Sequence, residues 1–388
     1  MCGSETCQVQ VRVKGELEAR WWSETFEGLL ISAEPDGTTL LSGALPDQSA
    51  MHGILGAIRD LGLPIVSVET SAASGGGGSS AEATPRRVLI AGGGGLVGGA
   101  VAEELQARHE IVRLVRRAPG PAEIEWDPDA GTIDRASLDG FDAVIDLATA
   151  PWSGRWTKEW KRRMHANRVG SYRLLAEALA GVARRPRVVV FASGMGIYAP
   201  AGDAIITEES ALADDFLGRL QQDGEAATAA ASDAGIRVVH LRLPMVLGGA
   251  SLATLTTQNR RFGTGRQWSA WIARSEVARI VEHVLSTPAV AGGVNATSPS
   301  PLRNADIVSA VSRVTGRKPG RPIPAFVLRL LLGEMADSLI LASRRMAPAR
   351  LLDTGFSFLY PDFEVALRHE IARASRAQDR ISESAATV

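Results

Sequence analysis

The stretch RVLIAGGGGLVGGAVAEEL, residues 87–105, constrains the fold more than any other part of the chain. A short apolar strand, Val88 to Ala91, runs into Gly92, Gly95 and Gly98 at G-x-x-G-x-x-G spacing, and a helical pattern follows. The three glycines serve a tight turn, a backbone close enough to reach a pyrophosphate, and close packing of helix on strand. The N–H groups around Leu96 and Val97, at the start of that helix, have no intrahelical partner and suit an anion. A glycine triplet alone is weak, because Gly-rich turns also serve structure. The strand before it and the helix after it turn the triplet into a dinucleotide site.

Beyond this turn, EIVRLV, DAVIDLA, RVVVFAS and RVVHLRL are short β-rich runs separated by helical stretches such as SYRLLAEALAGV. That alternation predicts βαβ units and a parallel sheet with helices on both faces. The expected architecture is α/β: a doubly wound Rossmann domain over 86–245, a smaller C-terminal substrate subdomain over 246–375 and a disordered tail over 376–388. Residues 1–70 read as a small α+β domain. VQVRVKGEL alternates like a half-buried strand, an Asp-Gly turn joins two more, Asp47 caps a helix, and PIVSVE is a last strand. Trp21, Trp22 and Phe26 are expected in its core. Between the domains, SAASGGGGSSAEATP at 71–85 has the composition of a flexible tether.

Charge and cysteine content exclude several functions. Lys and Arg total 42 against 43 for Asp and Glu, so no global excess of positive charge holds a nucleic acid. The two cysteines, Cys2 and Cys7, are too few for a disulfide framework or a Cys-based metal site, which fits a reducing cytoplasm. No run approaches the ~18 apolar residues of a membrane span. A soluble protein acting on a small molecule is expected, with no metal, and a homodimer is left open.

The second strand of the Rossmann pattern ends at Arg116 and Arg117, not at the acidic residue that bonds an NAD ribose hydroxyl. Arginines attract a 2′-phosphate that a carboxylate would repel, so the cofactor expected is NADP(H).

Longer blocks then resemble one family. AGGGGLVGG, WDPDAGTIDRASLDGFDAVIDLATAP, RWTKEWKRRMHANRVGS, GTGRQWSAWI and LLLGEMADSLILASRRMAPARLLDTGFSFLYPDFEVAL are similar to atypical extended short-chain dehydrogenase/reductase proteins described as nucleoside-diphosphate-sugar epimerases. The resemblance covers about residues 86–370. It implies an NADP(H)-binding Rossmann domain, with cofactor contacts from Arg116, from Leu147 and Ala148, and from the turn at Leu243 and Pro244. The N-terminal segment resembles a small bacterial domain, and no activity follows from it. Departures from the family pattern are Ala148-Thr149-Ala150 for Ala-Gly-Glu, Trp271-Ile272-Ala273 for Trp-Ile-His, and a shorter loop over 248–265. All three are expected around the cleft.

Active short-chain dehydrogenases move the substrate proton with a tyrosine and a lysine four residues later. Here the residues four beyond Tyr172, Tyr198 and Tyr360 are Ala176, Gly202 and Glu364, and no lysine occurs between Lys161 and Lys318. Phe216 stands where the phenol is expected. That leaves FASGMGIY, where Ser193 occupies the family's serine position and Tyr198 becomes the candidate proton donor. Glu208 and Glu209 read as charges ahead of a helix, and Trp156 and Trp160 as packing groups. An NADPH-dependent reductase or epimerase-like enzyme on a carbonyl or sugar-like substrate is the leading expectation. A non-catalytic NADP(H) sensor is the alternative.

Overall fold

The computed structural model describes residues 7–15, 29–33, 38–45, 48–60, 63–72, 87–149 and 155–386. Cys2, Trp21, Trp22, Phe26, Asp47, linker residues 73–85, Arg86 and Ala150 lie outside the described residues. The chain divides into two compact units, Met1–Ala81 and Glu82–Val388.

The first unit contains β1 (Cys7–Lys14), β2 (Leu30–Ala33), β3 (Thr38–Leu45), α1 (Gln48–Asp60) and β4 (Ile65–Ala72). Its sheet has the order β2-β3-β1-β4 with antiparallel pairs throughout. Val9, Val11 and Val13 share one face of β1, as period-two alternation requires, and pack with Leu41 and with Ile58 of α1.

In the second unit the Rossmann layer begins with β5 (Arg87–Ala91), α2 (Leu96–Leu105), β6 (Glu110–Val115), β7 (Glu123–Asp127), β8 (Thr132–Ile133) and β9 (Ala143–Asp146). It continues through α3 (Lys158–Ala180), β10 (Val188–Gly194), α4 (Phe216–Ala226) and β11 (Arg237–Leu243). Next come α5 (Gly249–Thr257), α6 (Arg274–Ser286), β12 (Gly292–Asn295), α7 (Asn304–Thr315), α8 (Ala325–Leu332) and α9 (Phe363–Ala386).

The large sheet has the order β12-β11-β10-β9-β5-β6-β7-β8, parallel except for the β7–β8 edge. It is doubly wound. The chain leaves β5 toward β6 and β7, then returns to β9 on the other side, so the strand order reverses between β5 and β9. Such a switch point opens the crevice in which α/β folds bind ligands. Along β5, Val88 and Ile90 join the core under α2 and α6, while Leu89 and Ala91 join the core under α3. Burial on both faces explains why these strands read as continuous apolar runs.

Two boundaries differ from expectation. The cut at 245 is not clean, because α6 packs on the Rossmann sheet and β12 pairs with β11. β12 was invisible as an apolar run because it opens with two glycines, and Gly293 is required there: a Cβ would lie 2.3 Å from the Arg242 guanidinium. What remains of the subdomain has its own core, including Leu247, Trp271, Ile307, Val311, Phe363 and Leu367. The expected disordered tail is helical as far as Ala386, since ARASRAQDRISESAA is rich in helix-favouring Ala, Arg, Gln and Glu. Among the described residues no helix is long and apolar enough to cross a membrane.

Candidate functional site

The glycine turn divides its glycines between two duties. Gly92 adopts φ +75°, and a Cβ there would lie 2.6 Å from the Ala148 nitrogen and 2.7 Å from the Leu147 carbonyl carbon. A Cβ on Gly98 would lie 2.1 Å from the Gly92 oxygen. These two positions are closed by the protein's own backbone, which brings the end of β9 against the turn. Gly94 and Gly95 are different: no atom lies within 4 Å of a Cβ on Gly94, and on Gly95 only the Gly92 oxygen, at 3.2 Å. The space above them is free for a ligand. Gly95, with extended backbone, directly precedes α2, whose first N–H groups lack intrahelical partners. The motif therefore fits a pyrophosphate.

Val97, Leu147, Ser193, Leu243 and Pro244 all line one cleft of about 530 Å³ at the carboxyl ends of the strands. Ala148 lies at the turn, as the Gly92 contact shows, and Leu96 is directed away to the start of α5, against Gly248 and Gly249. Neither arginine that follows β6 lines this cleft: Arg116 is half exposed and 3.7 Å from Asp129, and Arg117 holds Glu123 at 2.7 Å. The Gly120 N–H and Arg117 together hold the Glu123 carboxyl below its ordinary range. Sequence reasoning missed Arg113 on β6, whose side chain passes 3.6 Å from a Cβ placed on Gly93. The strand alternation that buries Val112 and Leu114 turns Arg113 to the opposite face.

The catalytic assignments change. Tyr198 is fully buried, and its hydroxyl donates to Asn295 Oδ1 at 2.7 Å while accepting from Arg242 at 2.7 Å. Burial pushes the phenol up to about 12, against the pull of the Arg242 charge. Tyr198 is a buried strut that does not line the cleft, its hydroxyl turned to Asn295 and Arg242. Ser193 does reach the cleft, but its hydroxyl donates to Glu225 at 2.7 Å, and Glu225 is gripped by Arg242 through two bonds of 3.0 and 2.8 Å. Glu208 is buried and accepts from the Asn295 N–H, and Glu209 pairs with Arg350. One chain of hydrogen bonds thus links Ser193, Glu225, Arg242, Tyr198 and Asn295.

Phe216 packs edge-on against Trp156, which stacks on Trp160 at 5.4 Å, and four residues after Phe216 comes the buried Leu220. Both dyad positions are apolar. The cationic group in the cleft is Arg168, another residue sequence reasoning missed. It is buried on α3 and donates to the Tyr172 hydroxyl at 2.5 Å, to the Ala192 carbonyl at 3.0 Å and to Thr149 at 3.1 Å. A guanidinium has five donors, so this one retains capacity for a ligand oxygen. Thr149 and Ser251 place two of the three family departures on the cleft. The third does not fall there: Ala273 is fully buried ahead of α6, within the C-terminal core.

Comparison with known proteins agrees with this geometry. The model of the NAD dependent epimerase/dehydratase family matches residues 88–296, and two domains of unknown function match 8–69 and 323–370. The chain is 32% identical over 295 residues to an epimerase family protein of Mycobacterium leprae (strain TN), covering 72% of this chain and 94% of that one. It is 30% identical over 287 residues to the Epimerase family protein SDR39U1 of Homo sapiens, covering 71% and 96%. A crystal structure of human SDR39U1 (isoform2) with NADPH matches with TM-score 0.67 and 31% identity, over 73% of this chain and 98% of that one. A nucleoside-diphosphate sugar epimerase from Corynebacterium glutamicum matches with TM-score 0.64 and 29% identity, over 92% and 73%. With the glycine turn, the switch-point cleft and the strand order all in agreement, this chain belongs to the NAD dependent epimerase/dehydratase family.

Proposed function

We propose that the chain binds NADP(H) across the glycine turn and acts as a reductase on a small carbonyl or sugar-like compound. The carrying observation is Arg168, a buried cation lining the cleft beside Ser193, where both dyad positions are apolar. When bound, the cofactor supplies the hydride. Gly94, Gly95 and the start of α2 hold the diphosphate, and Arg116 and Arg117, with Arg113 beside them, attract the 2′-phosphate. Arg168 offers charge-assisted hydrogen bonds to an oxygen that gains negative charge, an electrostatic role distinct from proton transfer. Ser193, its proton committed to Glu225, accepts a hydrogen bond from the ligand instead of donating one. The final proton then comes from water.

The commitment of Ser193 and Tyr198 also favours a second reading, a protein that binds NADP(H) without turnover and responds to it. NADPH absorbance followed across a panel of aldehydes, ketones and nucleotide sugars separates the two. For the reductase, Arg168→Lys keeps the charge but loses the planar fork, and should lower kcat/KM by about 10- to 100-fold with NADPH affinity unchanged. A wild-type protein inert across the panel, yet protected from protease by NADPH, would replace the reductase by the sensor.

A further inference from the structure

A second cavity, of about 400 Å³, lies between the C-terminal lobe and the segment that follows β10, and it shares no lining residue with the cofactor cleft. Arg266, Arg303, Arg329 and Asp203 line it, together with Gln267 and Ser343. The three neutral polar side chains, Gln267, Ser343 and Thr264, are engaged by the walls, Thr264 Oγ1 accepting from the Arg266 N–H at 3.3 Å. Gln267 donates to the Phe262 and Ile340 carbonyls, and the Ser343 hydroxyl donates to the Gly202 carbonyl. Recognition in this cavity therefore falls to charge.

Three guanidinium groups face one carboxylate, and that carboxylate is already occupied. Asp203 Oδ1 accepts from the Trp268 indole at 2.8 Å and from Arg303 at 2.9 Å. Arg303 is fixed further, with its guanidinium 4.7 Å from the centre of the Trp268 ring. Arg329 pairs with Asp337 at 3.0 Å, but both are more than half exposed, so water and salt screen the pair. Arg266 hydrogen-bonds only through its backbone, to Thr264 and Arg303, and its charge acts on Asp203 without a bond to it. Among the described residues its exposed guanidinium has no ion pair.

The surroundings raise the positive potential. The segments Arg260–Phe262 and Gly320–Ile323 pair as parallel strands beside this cavity. They bring together Arg260, Arg261 and Arg321, all exposed and none in an ion pair among the described residues. Clustered cations of this kind draw an anion toward a concave site.

We infer that this cavity is an anion site, separate from the cofactor cleft, for a small phosphate-bearing molecule. Several planar guanidinium groups around one space match the multiple oxygens of a phosphate dianion. The cavity volume exceeds that of the phosphate itself and admits an organic body. This inference does not depend on whether the cleft reduces a substrate.

The test is calorimetric titration of the full chain with inorganic phosphate and with a hexose phosphate, each in saturating NADPH so that the cofactor cradle is filled. Both should bind, the ester more tightly, with affinity falling steeply as salt rises. Arg266→Ala should weaken binding by about tenfold and Arg266→Glu by more, with NADPH affinity and far-UV dichroism unchanged. No binding at millimolar concentrations, or binding indifferent to Arg266→Glu, would overturn the site. Binding seen only when NADPH is left out would place the anion at the glycine turn and overturn it as well. Equal affinity for the two probes would overturn the organic body.

Discussion

Asp146→Asn should stabilise the protein at neutral pH and flatten part of its acid profile. Asp146 ends β9 with no exposed surface, its Oδ1 accepts the Ala148 N–H at 2.9 Å, and its Oδ2 has no hydrogen-bond partner among the described residues. Burial raises this carboxyl from 3.8 to about 6, although the Ala148 N–H, Arg168 and Arg116 all favour the charged form. The native state thus holds the proton more tightly than the unfolded chain. Below about pH 4 both states are protonated and no penalty exists. Between about pH 4 and pH 6 the unfolded state ionises first, so stability falls as pH rises, and it levels off above the native value. The rise to about 6 from 3.8 corresponds to about 3 kcal/mol at ~1.4 kcal/mol per pH unit. Asparagine keeps the acceptor for Ala148 and removes the charge. Urea unfolding of the Glu82–Val388 unit, followed across this range, should show wild type losing about 3 kcal/mol relative to the variant. Parallel pH profiles, or a variant less stable at pH 7, would refute the claim that an ionised Asp146 is strained in its site.

Tyr198→Phe removes a strut, leaving Asn295 and Arg242 short of a partner in a closed wall; stability should fall by about 1–3 kcal/mol in denaturant titrations. Any turnover found should survive within about twofold, and a loss of about 100-fold would restore Tyr198 as the proton carrier. Gly95→Val should abolish NADPH binding in fluorescence titrations of a folded protein. Gly98→Val should instead unfold it, because that Cβ would lie 2.1 Å from the Gly92 oxygen. A folded Gly98→Val protein or an NADPH-binding Gly95→Val protein would contradict the division of duties in the turn.

The Rossmann sheet was legible because strands buried on both faces leave apolar runs, and the turn was legible because only glycine fits Gly92 and Gly98. β12 escaped notice because its glycines make room for Arg242 instead of filling a core. Tyr198 looked available because sequence proximity to Ser193 does not reveal the way a side chain turns; Asn295, its partner, lies 97 residues away. Arg168 had a signal that went unread, a helical Arg–Tyr pair four apart in RVGSYRLL, ahead of an apolar face. Asp146 had one too, as a lone carboxylate inside the run AVIDLA. Both are buried charges, and sequence pattern alone does not show which polar residue a strand end or helix face encloses.

The most direct test of the central claim is parallel titration of the wild-type chain with NADPH and NADH at one ionic strength. The glycine turn and the arginines after β6 predict that NADPH binds more tightly by about tenfold or more, and that Arg116→Ala with Arg117→Ala removes most of that preference. Equal affinities, or a preference that survives the double substitution, would contradict the assignment of the 2′-phosphate to these residues, and failure to bind either nucleotide would contradict the cofactor site itself.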